Sequence, residues 1–313
     1  MTVLITGANK GMGLAIAKLF ANSGYASEII ITSRNLERGT DAKISLIKEF
    51  PSTKFELCEL DLLDENSINN LATEIEKKYG KIDILINNSG RACAPPCENT
   101  DCCLLTFETN FSATVRLTEK LQPFIKDRIV TVGSGSSMHA LSDCGIGLKQ
   151  RVVNSGLTSE GLVELTADYV ENIKDGLKKK YFMQPKSPSR YVVNDKVRKL
   201  YPHLEAIPMW PQAICVYATS KMLIRIQTKI WAEKWASSGM KVFNACPGWV
   251  ATELGNQNPE NALKIGAVTT DQGADVIWWL ATTNDENVLD KGNGEFFFNG
   301  RELETGWGLL ERN

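Results

Sequence analysis

Short apolar runs alternate with longer stretches of helical period along most of the chain. Val3-Leu4-Ile5 precedes apolar positions spaced as on a helix from Leu14 to Phe20. Glu28-Ile29-Ile30-Ile31-Thr32-Ser33 has the near-continuous apolar character of a parallel strand covered on both faces. Lys54–Leu60, Ile82–Ile86, Arg128–Val132, Lys241–Ala245 and Glu295–Phe298 read as further strands. Ile68, Leu71, Ile75 and Tyr79 mark one face of a helix over Ser67–Tyr79, and the same period predicts helices over Leu104–Ile125, Gln212–Ser237 and Thr270–Ala281. Strands alternating with helices imply an α/β fold, a doubly wound parallel sheet of about seven strands with right-handed crossovers.

Residues 142–211 interrupt this rhythm with no convincing strand. Leu162, Leu165, Tyr169, Ile173 and Leu177 share one helical face, and Thr158 or Ser159 can cap that helix. Lys174–His203 then holds nine Lys/Arg against two Asp. Few aromatics are interleaved there, so a solvated insertion outweighs a nucleic-acid surface. Residues 1–313 are expected to form one domain that includes the insertion.

Composition narrows the classes. With 313 residues, 43% of them hydrophobic, the chain can bury a sizeable core, and a net charge of −2 argues against nucleic acid as the partner. No apolar run reaches membrane-spanning length, and strand-like sequence from residue 3 leaves no room for a targeting peptide, so a cytoplasmic protein is expected. Cys93, Cys97, Cys102 and Cys103 lack the spacing of a metal site, and only His139 and His203 could complete one. No metal is expected.

The stretch "TGANKGMG", Thr6–Gly13, joins the first strand to the first helix. Gly7 allows a tight turn, and a glycine at the helix start lets a pyrophosphate reach backbone N–H groups. This is the arrangement of a Rossmann-type dinucleotide site. The second strand ends in Ser33-Arg34-Asn35, with a guanidinium where an NAD site usually carries a carboxylate. Arg34 can grip a 2′-phosphate bidentately and Lys10 can add a second charge, which points to NADPH.

Tyr217 and Lys221 stand one helical turn apart in "YATSK". A tyrosine has a reference pKa near 10, and an ammonium close by would lower it. Ser134 follows a strand end, where such sheets bind ligands, and could hold a carbonyl oxygen. Asn110 could anchor a water that links Lys221 to solvent.

"TGANKGMG", Asp61, "NNSG", Asn110, Ser134, "YATSK" and "PGWVAT" occur in this order over nearly the whole chain. In these motifs it resembles the short-chain dehydrogenase/reductase family. "GANKGMGLAIA", "SRNLERG" and the helix before Tyr217 make it most similar to the monomeric carbonyl reductases and the plant ketone reductases of the salutaridine reductase type. The resemblance implies that Asn110, Ser134, Tyr217 and Lys221 are catalytic. It implies a cofactor site of Gly7, Asn9, Lys10, Gly11, Met12, Gly13, Arg34, Asp61, Leu62, Asn88, Tyr217, Lys221, Pro247, Gly248, Val250 and Thr252. In that site Asp61 and Leu62 flank adenine, Asn88 touches the adjacent ribose, and Pro247–Thr252 covers the nicotinamide.

The substrate pocket would draw on Ser134, Met138, His139, Ala140, Leu141, Tyr217 and Trp249. Three departures stand out: Ser89 in place of the usual alanine, one cysteine in "NACPGW" where close relatives have two, and Gly133 where many have serine. Ser136 and Ser137 are the residues most easily mistaken for the catalytic serine.

The expected activity is NADPH-dependent reduction of a small-molecule ketone, aldehyde or quinone. The alternatives are alcohol oxidation at the same site and a non-catalytic NADPH-binding protein. A monomer is expected, with the insertion covering apolar surface on the Tyr217 helix.

Overall fold

The computed structural model describes residues 1–92, 100–143, 159–174, 213–254, 258–264, 266–298 and 302–304. Eight strands form one sheet in the order β3-β2-β1-β4-β5-β6-β7-β8. They are β1 Thr2–Ile5, β2 Glu28–Ser33, β3 Lys54–Glu59, β4 Ile82–Asn87, β5 Ile125–Val132, β6 Lys241–Ala245, β7 Phe296–Phe298 and β8 Glu302–Glu304. The first seven are parallel, and the short β8 pairs antiparallel with β7.

The described helices are α1 Gly11–Ser23, α2 Leu36–Glu49, α3 Glu65–Tyr79, α4 Thr100–Phe107, α5 Ala113–Leu121, α6 Ser136–Asp143, α7 Ser159–Lys174, α8 Ala213–Lys234, α9 Pro259–Lys264, α10 Thr270–Thr282 and α11 Glu286–Lys291. Strand side chains alternate between the two layers, as the pleat requires. Leu4, Ile30, Leu85 and Ile129 pack toward α3, α5 and α8. Val3, Ile5, Ile29, Ile31, Ile84, Ile86 and Val130 pack toward α1 and α10. Side-chain caps set several helix starts: Asn35 accepts from Arg38 N–H, Asp64 from Asn66 N–H, and Thr269 with Gln272 closes a capping box on α10.

The structure corrects one expected span. The helix predicted over Leu104–Ile125 is α4, a π-helical turn at Glu108–Ser112, α5 and a 3-10 turn at Gln122–Phe124, and Ile125 already belongs to β5. Pro123 in that turn lacks the N–H needed to continue an α-helix. α2 and the short α6, α9 and α11 were not among the expected helices. Of the insertion, α7 is described. Thr158, Leu177, the basic stretch after Lys174 and Gln212 lie outside the described residues, as do Cys93 and Cys97.

Sheet order reverses at β1, with β2 and β3 on one side and β4 onward on the other. The crevice beyond the C-terminal ends of β1 and β4 is therefore the switch point where doubly wound sheets bind ligands. The glycine turn leaves β1 there, and Asn88-Ser89-Gly90 leaves β4.

Candidate active site

Gly7 and Gly11 both have left-handed backbone, at φ +63° and +57°. Only glycine adopts this region without strain, so the turn needs both. Gly13 has a different role. A Cβ there would stand 2.5 Å from the Gly7 carbonyl oxygen and 2.9 Å from Ala8 Cα. Its missing side chain lets α1 press against the turn. The turn is held from below: Gly7 N–H donates to Thr32 Oγ1 at 3.2 Å, and Asn88 Nδ2 donates to the carbonyls of Thr6 and Gly7 at 2.8 and 3.2 Å. Asn88 thus spends its amide donors on shaping the turn.

Several features of this crevice fit a phosphorylated dinucleotide. No side chain caps the start of α1, which leaves its first N–H groups for an anion. Arg34 is exposed and makes no ion pair or hydrogen bond among the described residues. Lys10 is exposed too, but its ammonium is paired with Glu253. Arg38, on the first turn of α2, lines the same hollow with Asn9, Lys10, Asp41 and Glu253, and its charge reaches Glu253. Arg38 was not among the expected residues. The repeat of Arg four positions after Arg34 in "SRNLERG" was the available signal.

Asp61 and Leu62 follow β3. The Asp61 carboxylate accepts the Leu63 N–H at 2.9 Å, and the Leu62 side chain is buried in the core, so Leu62 presents only backbone to the crevice. The loop after β6 closes the crevice opposite the turn. Gly248 has φ +85°. Thr252 Cγ2 lies 3.7 Å from where a Gly11 Cβ would be, which places Thr252 over the glycine turn. Val250 points the other way: its side chain is buried beside Gly273 of α10, and residues 249–251 bridge to Val268.

Ser134, Tyr217 and Lys221 meet at the end of β5, although 83 positions separate Ser134 from Tyr217. Tyr217 and Lys221 lie on the second and third turns of α8. Ser134 hydrogen-bonds the Tyr217 phenol. Lys221 is buried, its ammonium donates to the Val132 carbonyl at 2.8 Å, and it stands 5.9 Å from the Tyr217 ring centre. Burial lowers Lys221 to about 8, against a smaller opposing influence of Cys246. Burial also pushes the Tyr217 phenol up to about 12, and the Ser134 hydrogen bond pulls the other way. The depressed tyrosine expected from the neighbouring ammonium is thus not the resting state: dehydration of the phenol wins.

Asn110 sits inside the π-helical turn, a distortion that often marks functional helices. Its carboxamide accepts from Arg91 N–H at 2.7 Å and donates to the Arg91 carbonyl at 2.8 Å and to Ser220 Oγ at 3.1 Å. It clamps the segment following β4 to α8. Its Oδ1 and the Lys221 ammonium lie 3.4 and 3.7 Å from a Cβ built on Gly90, so the two groups flank the same glycine.

Cys246 is buried, and its sulfur accepts N–H groups from Gly135 at 3.1 Å and Gly248 at 3.4 Å. It joins the Ser134 turn to the loop over the crevice, and burial raises its thiol. Gly133 has a local reason to lack a side chain: a Cβ there would be 2.2 Å from Asn244 Oδ1. Met138 packs on Cys246, Phe296 and Phe298, so it is anchored in a small core cluster as well as placed beside the site. Trp249 keeps partial exposure. The side chains of His139 and Leu141 lie outside the described residues. Among the described residues no group of His, Cys, Asp and Glu could hold a metal, and no helix is long and apolar enough to cross a membrane.

Comparison with known proteins agrees with this geometry. A family model described as short chain dehydrogenase matches residues 1–143. "Carbonyl reductase [NADPH] 1" of Sus scrofa is 31% identical over 274 residues, covering 85% of this chain and 84% of that protein. The Homo sapiens protein of the same name is also 31% identical over 274 residues, covering 85% and 87%. Among solved structures, salutaridine reductase from Papaver somniferum superposes with a TM-score of 0.71 at 22% identity, over 95% of this chain and 99% of that one. Menthone neomenthol reductase from Mentha piperita gives 0.66 at 25% identity, over 95% and 98%. With the glycine turn, the serine, the tyrosine–lysine pair and relatives of this identity along most of its length, the chain belongs to the short-chain dehydrogenase family.

Proposed function

We propose that this protein is an NADPH-dependent carbonyl reductase that converts a ketone, aldehyde or quinone to the alcohol, with residues 1–313 working as one unit. The observation that carries the reading is the meeting of Ser134, Tyr217 and Lys221 beside a glycine turn flanked by exposed Arg34. Relatives named NADPH carbonyl reductases support the cofactor and the reaction class.

The N–H groups of α1 would face the pyrophosphate, and Arg34, Arg38 and Lys10 would surround the 2′-phosphate. Thr252 and the backbone of Pro247–Val250 would lie along the nicotinamide. NADPH, when bound, supplies the hydride. Ser134 and Tyr217 donate hydrogen bonds to the carbonyl oxygen, and Tyr217 then gives up its proton to it. The Lys221 ammonium stabilises the resulting phenolate. Asn110, across Gly90 from Lys221, positions the segment after β4 and the helix that frame a path for proton return. General acid catalysis of this kind contributes about 10²–10⁴ in rate.

The test is NADPH absorbance decay with a panel of quinones, ketones and aldehydes, run on the parent and on Tyr217→Phe. Turnover in the parent with at least one carbonyl class and loss of about 10² or more in the variant, with cofactor still bound, is the expected result. A variant with parental kcat on every accepted substrate would assign the proton to another group.

We also propose a monomer. The α8 residues Ile224, Trp231 and Trp235 are buried within the chain and share one core cluster with Leu162 and Leu165 of the insertion helix α7, which supports this reading.

A further inference from the structure

We propose that Ser136 is a positioning residue that makes the Ser134 hydroxyl an obligate hydrogen-bond donor. The proposal rests on the reductase reading, because it concerns the direction of a hydrogen bond to the reacting oxygen.

Ser134 Oγ has one proton to give and two lone pairs to fill. Two donors from one residue stand against it: Ser136 N–H at 3.2 Å and Ser136 Oγ at 2.9 Å. The two Ser136 donors fill both of those lone pairs, so the proton is all that Ser134 has left for its third neighbour, the Tyr217 phenol. With its single proton turned to Tyr217, Ser134 can only accept from Ser136. The chain Ser136→Ser134→Tyr217 therefore has one polarity. When a carbonyl oxygen enters beside Tyr217, the same Ser134 proton is already directed to that side.

Without Ser136 Oγ, a lone pair of Ser134 is released. The hydroxyl can then rotate and accept the Tyr217 proton. That arrangement favours the neutral phenol and turns the Ser134 proton away from the substrate.

The surroundings hold this geometry in place. A Cβ on Gly135 would lie 2.5 Å from Phe298 Cε2, and Gly135 N–H is tied to Cys246 sulfur. Ser137 N–H returns to the Ser134 carbonyl at 3.0 Å, which starts α6. Ser136 thus sits on a tight turn whose backbone cannot drift. Ser137 next to it does not take part: its Oγ is buried and has no hydrogen-bond partner among the described residues. The titratable groups around the pair are Tyr217 and Lys221 from α8 and Cys246 from the end of β6.

The experiment compares the parent, Ser136→Ala and Ser136→Thr with a small quinone and NADPH, and with the product alcohol and NADP⁺. Ser136→Ala is expected to lower kcat about three- to tenfold, as for loss of one neutral hydrogen bond, with KM for NADPH unchanged. In the oxidative direction the phenolate is the base, so stabilising the neutral phenol must move the rising limb of the pH profile to higher pH. Ser136→Thr keeps the hydroxyl and should restore both kcat and the limb.

Parental kcat and an unmoved limb in Ser136→Ala would overturn the proposal. So would a fall in kcat with an unmoved limb, which is what mere loosening of the turn produces. If Ser136→Ala is not soluble, Ser136→Gly carries the same comparison. Absence of turnover in the parent itself would count against the reductase reading rather than against Ser136.

Discussion

A single guanidinium sets the expected cofactor preference. Arg34 is exposed at the end of β2 and has no ion-pair partner among the described residues, so none of those has to be displaced by a 2′-phosphate. A charge-assisted bond contributes more than a neutral one, roughly 1.5–3 kcal/mol. Arg34→Ala should therefore raise KM for NADPH roughly ten- to a hundredfold and leave KM for NADH nearly unchanged. Equal losses with both cofactors would place Arg34 outside the phosphate site. Lys221 makes a pH prediction. Burial has lowered its ammonium to about 8, so it is charged below that pH and neutral above it. In the proposed mechanism the charge stabilises the Tyr217 phenolate left by proton donation. The profile of kcat/KM for carbonyl reduction, which reports the free enzyme, should be level below about pH 8 and fall above it. A profile level to pH 10 would mean that the charge on Lys221 is not needed. These residues were legible one by one, because their types and spacing carry the chemistry. The raised phenol of Tyr217 was not, since burial belongs to the folded state.

Between residue and molecule, the loop after β6 acts as a strap across the crevice. Cys246 and Gly248 anchor its start at the Ser134 turn, Val250 docks on α10, and Glu253 reaches Lys10 at the glycine turn. The Lys10–Glu253 pair is exposed on both sides, so it is weak and screened by salt. Its importance is its place: an anion stands beside the expected 2′-phosphate. Glu253→Gln should lower KM for NADPH about two- to fivefold at low ionic strength, and the gain should vanish at high salt. An unchanged KM at low salt would separate Glu253 from the phosphate site. The motif "PGWVAT" pointed to this loop, but the pairing of positions 243 apart had no local signature.

At the scale of the whole molecule, the face of α8 decides the expected assembly. Trp231 is fully buried, stacks on Trp235 at 5.5 Å and donates its indole N–H to Glu119 of α5 at 3.3 Å. The insertion helix α7 packs on α4 and α8. Apolar surface that would otherwise need a second chain is thus covered within this one. Light scattering after size exclusion should give a mass near 34.6 kDa at micromolar concentration. A mass of twice that value would defeat the monomer.

The sequence by itself determined the order and type of the main elements, because buried parallel strands and amphipathic helices have different apolar periods. It also determined the glycine turn, the guanidinium after β2 and the tyrosine–lysine pair, each of which lies within a few residues of chain. It blurred the stretch after α4, where Pro123 and a π-helical turn break a pattern that looks continuous. Tertiary structure alone decided which distant groups meet. Ser134 reaches Tyr217, Cys246 joins two loops, and Glu253 pairs with Lys10. The physical reason is that dehydration and hydrogen-bond direction depend on every neighbour in space, and only a few of those neighbours are neighbours along the chain.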